Sequence, residues 1–321
     1  MPNINAAVIG RQAYSESLGK RGTSTDITFY NLKRDNDSVT FIEPTKYPDR
    51  LSSLQCTVSI SQVAVLVVDS IDARFGEEVV MLDCAGVSKG YIVLRNSIQL
   101  SEIAPFIRGT TVEKYRLMED APPAIREALL AEARKAGSGQ VEGEQYGSVA
   151  VDHFFNVKGV GTVALGTVIR GTVRRHDELM VLPGDKKAQI RSIQKHDDDA
   201  ETASSGDRVG VALKGLAVED LERGTLLTTD PSAKSDISIS GEVDVVKYWR
   251  EPLREGMVVH VGHAAQVVPG RIAELGASSG SKKPNVKILL DKKIAYLPGG
   301  RAILMYLGGA KLRVIGTILL P

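Results

Sequence analysis

The chain has 321 residues, of which 43% are hydrophobic and 25% are charged, and its net charge is +1. This composition is typical of globular proteins and argues against a disordered chain and a strongly electrostatic DNA binder. The longest apolar run, VAVLVV at 63–68, is too short to cross a bilayer, and the amino terminus lacks a signal-peptide pattern. The two cysteines, Cys56 and Cys84, form no metal-ligand pattern and suit a reducing compartment. We therefore expect a cytoplasmic protein with no membrane and no DNA partner.

The first part of the chain alternates predicted strands with predicted helices, which indicates an α/β domain. Unbroken apolar runs such as VAVLVV are typical of strands that are buried on both faces of a parallel sheet. One helix is expected at 77–86, where Gly86 would end it, and another at 123–135, with Pro122 and Pro123 at its start. The predicted strands are 5–9, 27–32, 39–42, 63–68 and 90–94.

The composition changes at 136–146, AGSGQVEGEQY, which we interpret as a linker. Beyond it, short β-type runs alternate with glycine-containing turns, a pattern typical of barrels and sandwiches. A second boundary is predicted at 228–235, TTDPSAKS. The pattern thus predicts three domains, namely an α/β domain followed by two all-β domains, at 1–140, 141–232 and 233–321.

Charge is distributed unevenly among these domains. Their net charges are −1, −4 and +6, so the near-neutral total hides a basic third domain. A basic domain indicates RNA or another polyanion as partner if several cations share one face. The alternative is an ordinary solvated surface or edge-strand charges that oppose aggregation. The candidate RNA contacts are Lys282, Lys283, Lys292, Lys293, Arg301, Lys311 and Arg313.

The segment VKGVGTVALGTVIRGTV at 157–173 resembles the second domain of translational GTPases of the elongation factor Tu group. Its sequence is most similar to that of archaeal selenocysteine-specific elongation factors. The resemblance implies a P-loop GTPase-like domain followed by two β-barrels, the second at about 236–321. It also implies tRNA, the ribosome or another translation factor as partner. Four further blocks support it: DELMVLP (177–183), IRSIQKH (190–196), SSGDRVGVALKGL (204–216) and LERGTLL (221–227).

The first nucleotide-binding motif of that family, G-x4-G-K-[ST], is degenerate in this chain. Gly10 matches its first glycine, Ser15 replaces the second glycine, Glu16 replaces the lysine, and Ser17 stands at the Ser/Thr position. The lysine would attract phosphate, whereas a glutamate repels it. Such a charge pair is worth roughly 1 kcal/mol in water and about 4 kcal/mol near a protein surface.

The second nucleotide-binding motif of the family follows the first one after too few residues. RGTSTD at 21–26 resembles it, and Ser24 matches the threonine that binds Mg²⁺ in the family. Only three residues separate Ser17 from Arg21, less than one helical turn, so the family's helix and switch loop are predicted to be missing. A rival register through Gly19 and Lys20 would require a new loop shape.

The third and fourth motifs are also altered. In FIEPTKY, Glu43 matches the family's aspartate and Tyr47 matches the histidine that orients the attacking water. In NSIQ, Asn96 is retained, but Gln99 replaces the aspartate that accepts two hydrogen bonds from guanine. A neutral glutamine offers only one acceptor, so guanine selectivity should be lost.

These changes predict a degenerate GTPase domain, that is, a pseudo-GTPase. We expect no catalytic residue, no metal site and no resident cofactor, and a structural role for His153. The first hypothesis is an elongation factor-like protein that binds tRNA, the ribosome or a translation partner without a GTP cycle. The alternatives are a translational GTPase with a remodelled pocket, which would use GTP and Mg²⁺, and a protein-interaction regulator of a genuine elongation factor.

Overall fold

The structure is a computed structural model that describes residues 3–138, 145–276, 283–309 and 312–321. Most of the predicted linker at 136–146 lies outside these ranges, as do Lys282 and Lys311.

Residues 3–138 form an α/β domain around one seven-stranded sheet. The strand order is β2-β3-β4-β1-β5-β6-β7, in which the five strands from β4 to β7 are parallel and β2 and β3 are antiparallel additions. The strands are β1 (Asn3–Ile9), β2 (Lys20–Ser24), β3 (Thr28–Arg34), β4 (Asp37–Glu43), β5 (Val63–Val68), β6 (Gly90–Leu94) and β7 (Arg116–Met118).

Four helices cover this sheet, together with short 3₁₀ helices at Tyr14–Ser17 and Thr111–Lys114. The second helix begins where the Asp72 carboxylate accepts a hydrogen bond from the Phe75 amide, and it ends at Gly86 with φ +71°. The predicted end is thus correct, but the helix begins four residues earlier than predicted. The helices are α1 (Leu51–Ser59), α2 (Ala73–Ala85), α3 (Leu100–Ile107) and α4 (Pro122–Ser138).

The sheet has an apolar core on each face. Helix α4 covers one face, and α1, α2 and α3 cover the other. Every residue of β5 is buried, as the unbroken apolar run predicts. The core beneath α1, α2 and α3 extends into the third domain, which contributes Ile303, Met305 and Val314. The first and third domains therefore pack on each other through a continuous apolar contact.

Residues 148–228 form an antiparallel β domain with a small aliphatic core. Its main sheet has the order β11-β16-β8-β9-β15-β12-β13, and a further pairing of β11 with β12 joins its two sides. The strands β10 and β14 form a separate pair. The strands are β8 (Ser148–Val157), β9 (Gly161–Arg170), β10 (Thr172–Arg174), β11 (Glu178–Leu182), β12 (Lys186–Lys195), β13 (Asp198–Ala200), β14 (Thr202–Ser204), β15 (Arg208–Lys214) and β16 (Leu226–Thr228), with a 3₁₀ helix at Val218–Asp220.

Residues 234–319 form a closed six-stranded barrel in the order β17-β20-β19-β18-β21-β22. Its interior is filled by aliphatic side chains and by Tyr296, which is fully buried. The expected fold, an α/β domain followed by two β domains, is thus confirmed. The strands are β17 (Lys234–Val245), β18 (Val258–His263), β19 (Gln266–Leu275), β20 (Asn285–Tyr296), β21 (Arg301–Met305) and β22 (Val314–Leu319).

Polar contacts link the first and second domains. Asp26 of the first domain pairs with Arg223, and the Arg208 guanidinium lies 3.5 Å from the centre of the Phe29 ring. His153 also lies at this interface, edge-on to Phe29, with its Nε2 3.3 Å from the Thr25 hydroxyl. This position suits a structural role for His153.

Candidate functional site: the loop after the first strand

The loop after β1 starts with a glycine that the packing requires. Gly10 has φ +96°, and a Cβ atom there would lie 1.9 Å from the Val67 carbonyl oxygen. The loop continues through Ala13, with φ +58°, into the 3₁₀ helix Tyr14–Ser17 and then directly into β2. Within the described part of the chain, this single turn is the only helix between β1 and β2. The loop therefore lacks the α-helical N-terminus at which P-loop proteins hold phosphate.

The backbone amides of this loop point at a carboxylate of the protein itself. Glu43, at the end of β4, is 4% exposed. Its Oε2 accepts a hydrogen bond from the Ala13 amide at 3.0 Å, and its Oε1 accepts one from the Ser15 amide at 2.5 Å. Converging backbone amides of this kind form an anion-binding nest. Burial raises the pKa of Glu43, whereas the bonds from Ser15 and Ala13 lower it. A phosphate group at this turn would have to displace Glu43.

The other residues that match the first two motifs have local partners or face solvent. Ser15 is fully buried, and the neighbouring Glu16 is exposed. The Ser17 hydroxyl donates to the Tyr14 carbonyl at 2.8 Å. The Ser24 hydroxyl lies 2.9 Å from that of Thr28, across the turn between β2 and β3. Both hydroxyls therefore stabilise the loop and the β2–β3 hairpin.

Tyr47 faces the third domain. It is 5% exposed, and its hydroxyl donates to Glu77 at 3.1 Å. Burial and the neighbouring Glu78 and Glu77 raise the pKa of this phenol, so it stays protonated. The Arg313 guanidinium lies 5.9 Å from the ring centre and bonds the same Glu77 carboxylate at 2.6 Å. Tyr47 is thus part of the contact between the first and third domains.

The residues that match the guanine motif fix the loop before α3. Asn96 has φ +50°, and its side-chain amide donates to the Asp69 carbonyl at 2.9 Å. Gln99 is the N-cap residue of α3, and its side chain donates to the Ser97 carbonyl at 3.0 Å. Both side chains therefore donate hydrogen bonds to backbone carbonyl groups of the protein.

A network of charged side chains lies across the same edge of the sheet, and the motif comparison missed it. Arg11 pairs with Asp69 at 2.9 Å, Arg95 pairs with Asp69 and Asp120, and the Tyr14 hydroxyl donates to Asp120 at 2.7 Å. These residues follow β1, β5, β6 and β7, at the carboxyl edge where open α/β sheets bind ligands. In the sequence, this network could have been predicted from the charged residues that follow the apolar strands.

A small cavity remains beside the loop. Its volume is 150 Å³, below the range of about 300–1,000 Å³ that is typical of small-molecule sites. Glu78 lines this cavity and is 2% exposed. Burial raises the pKa of its carboxyl group to about 8, although Arg74 lies 3.8 Å away. Within the described ranges, no group of three or more His, Cys, Asp or Glu side chains could hold a metal ion.

A larger groove lies between the first two domains. Its volume is 770 Å³, and its acidic lining residues are Glu16 and Asp197. The cations that line it are spread over four separate segments of the sequence, so no sequence pattern predicts RNA contacts here. The basic lining residues are Lys20, Arg21, Lys33, Arg126 and Arg208.

The basic candidates of the third domain that the structure describes do not share one face. The closed barrel places β20, with Lys292 and Lys293, on the wall opposite β21, with Arg301. Lys292 pairs with Glu222 of the second domain at 2.6 Å. Arg313 is bound to Glu77, as described above. Of the others, Lys283 lies 3.7 Å from Glu242.

Comparison with known proteins identifies relatives of this chain. The family elongation factor Tu domain 2 matches residues 161–228. The chain is 33% identical over 320 residues to uncharacterized protein MJ0325 of Methanocaldococcus jannaschii, covering 99% of each chain. It is 27% identical over 274 residues to the selenocysteine-specific elongation factor of that organism, covering 79% of this chain and 58% of the other. The chain thus spans about three-fifths of that factor's length.

A solved structure agrees in fold. The apo form of translation elongation factor SelB from Methanococcus maripaludis matches with a TM-score of 0.78 at 24% identity, covering 99% of this chain and 79% of that one. None of the helices in the described ranges is long and apolar enough to span a membrane. The chain is thus related to the translational GTPases of the elongation factor Tu group, and among them to the selenocysteine-specific elongation factors.

Proposed function

We propose that the chain is an elongation factor-like protein of the cytoplasm that binds tRNA or the ribosome without a GTP cycle and without a resident cofactor. The observation that carries this proposal is the Glu43 carboxylate on the Ala13 and Ser15 amides. A nucleotide phosphate would need these two amides as donors. They are already hydrogen-bonded to a carboxylate that belongs to the chain itself. Glu16 next to them adds a negative charge that disfavours phosphate.

The groove between the first two domains supports RNA as the partner. Lys33 pairs with Asp198, and Arg208 is held by Asp152. The charges of Lys20, Arg21 and Arg126 have no carboxylate within 4.0 Å among the described residues, although Arg21 and Arg126 donate hydrogen bonds to neutral groups. Uncompensated cations in a groove attract phosphates and make binding salt-dependent.

Calorimetric titration of GTP and GDP with Mg²⁺ into the full chain tests the absence of a cycle. We expect no binding up to about 1 mM, which corresponds to a binding free energy weaker than about −4 kcal/mol. Micromolar binding followed by GTP hydrolysis would instead identify a GTPase with a remodelled pocket.

Titration of labelled tRNA tests the partner. We expect binding that ignores GTP, weakens in a Lys20→Gln/Arg21→Gln variant, and shows a smaller salt slope in that variant. A Lys158→Gln/Lys214→Gln variant, which alters two exposed lysines of the second domain, is the matched control. Absence of tRNA and ribosome binding at low salt would contradict the proposal. Capture of a genuine elongation factor instead would identify a protein-interaction regulator.

A further inference from the structure

A second polar pocket lies at the opposite edge of the first domain's sheet. Its volume is 360 Å³, within the range of about 300–1,000 Å³ that is typical of ligand sites. It is formed where β5, β6 and β7 begin and where α4 ends. The six residues of β5 separate it from the Gly10 loop by about 20 Å. It is therefore independent of the degenerate nucleotide site.

Four cations from different elements line this pocket. Lys89 precedes β6, Lys114 ends a 3₁₀ helix, Arg116 starts β7, and Lys135 lies in the last turn of α4. Among the described residues, Glu132 is the only acidic residue in the lining, and it pairs with Lys135 at 3.0 Å. The lining thus carries a net charge of about +3 in a domain whose total is −1.

Three of these cations are left without an anionic partner. Among the residues that the structure describes, Lys89, Lys114 and Arg116 have no carboxylate within 4.0 Å of their nitrogen atoms. Tyr91, 5% exposed, also lines the pocket, and burial together with Glu132 raises its pKa, so its hydroxyl stays protonated. The pocket therefore combines two unpaired lysine charges, one guanidinium fork and the hydroxyls of Ser88 and Tyr91.

We propose that this pocket binds a ligand that carries several phosphate groups. Arg116 can hold one phosphate through two parallel hydrogen bonds, while Lys89 and Lys114 supply charge to its neighbours. A single phosphate would leave much of the positive charge uncompensated, which favours an oligophosphate arrangement. Consecutive phosphates of an RNA strand and a free oligophosphate compound share this chemistry.

The test uses the full chain, inorganic tripolyphosphate and a short single-stranded RNA, each titrated at low salt. The variant is Lys89→Gln/Lys114→Gln, and the control is Lys158→Gln/Lys214→Gln. Melting temperatures of both variants should equal that of the parent, because all four lysines are exposed. We expect the pocket variant to bind tripolyphosphate about ten-fold more weakly or worse, and the control to bind it normally.

Two outcomes support the site and identify its ligand. Weaker binding of both probes indicates RNA phosphates, and weaker binding of tripolyphosphate alone indicates a free phosphorylated compound. No tripolyphosphate binding by the parent, or equal weakening in the control, would overturn the proposal. The proposed function is tested by the groove variant Lys20→Gln/Arg21→Gln and not by the pocket variant. This inference and the proposed function can therefore fail separately.

Discussion

Replacement of Glu43 by glutamine tests whether this side chain stands in for phosphate. Glutamine keeps the size of the side chain but has one acceptor oxygen where the carboxylate has two. Its amide nitrogen would face one of the two loop amides, those of Ala13 and Ser15, both of which now donate to Glu43. One hydrogen bond is lost and one buried amide is left unpaired. Alanine removes both bonds.

The magnitude follows from the two bonds and from burial. Hydrogen bonds to charged groups contribute about 1.5–3 kcal/mol each. Burial raises the pKa of Glu43, which means that desolvation of the charge offsets part of this gain. We therefore expect Glu43→Gln to lower the free energy of unfolding by about 1–2 kcal/mol and Glu43→Ala by about 3 kcal/mol.

Urea unfolding at neutral pH measures both losses. Glu16→Gln is the matched control, because Glu16 lies in the same loop but is exposed, and its change should stay within about 0.5 kcal/mol. Pyrophosphate should raise the melting temperature of the alanine variant and leave that of the parent unchanged, since an anion can then occupy the vacated amides. A glutamine variant at least as stable as the parent would refute the reasoning.

Other perturbations test the neighbouring contacts. Arg313→Ala should destabilise the chain by about 3 kcal/mol in urea unfolding, because it leaves the buried Glu77 carboxylate without its cationic partner, whereas Lys293→Ala on the exposed face of β20 should change little. Glu78 has a folded-state pKa of about 8, above its ordinary value, so the folded state binds the extra proton. Stability should therefore fall as pH rises from about 5 to 8, and Glu78→Gln should abolish this fall in melting curves. Small-angle scattering profiles should not change on addition of GTP and Mg²⁺, because we expect a chain without a nucleotide switch to keep one domain arrangement; a shift would contradict this expectation.

Sequence patterns predicted the sheet well, because buried parallel strands are unbroken apolar runs. They failed where polar residues are buried by other domains. Helix α1, LSSLQCTVS, has an apolar stripe of Leu51, Leu54 and Val58 but is otherwise mostly polar, and its buried Gln55 donates to the Ala264 carbonyl of the third domain. Helix α2 begins before its predicted start because the Asp72 carboxylate caps it at the Phe75 amide. Strand β2, KRGTS, is mostly exposed and carries no apolar signal.

The site was only partly predictable for a related reason. Motif spacing identified Gly10 and the missing helix, both of which are local features. The contact of Glu43 with the loop depends on the pairing of β4 beside β1, which adjacent residues do not reveal. Closeness in sequence also did not predict closeness in space for the basic residues of the third domain, since Lys293 and Arg301 lie on opposite walls of the barrel.

A nucleotide switch requires a ligand whose binding favours one of two arrangements. Here the anion at the loop is Glu43, whose local concentration does not depend on the supply of GTP. The same domain is bound to the second by Asp26 and Arg223 and to the third through Glu77, with a continuous apolar core behind it. Under the proposed function no exchangeable ligand acts on these contacts, so the groove between the first two domains should keep one shape. Affinity for RNA should then vary with salt, through the phosphate contacts, and remain the same with GTP, with GDP or with neither.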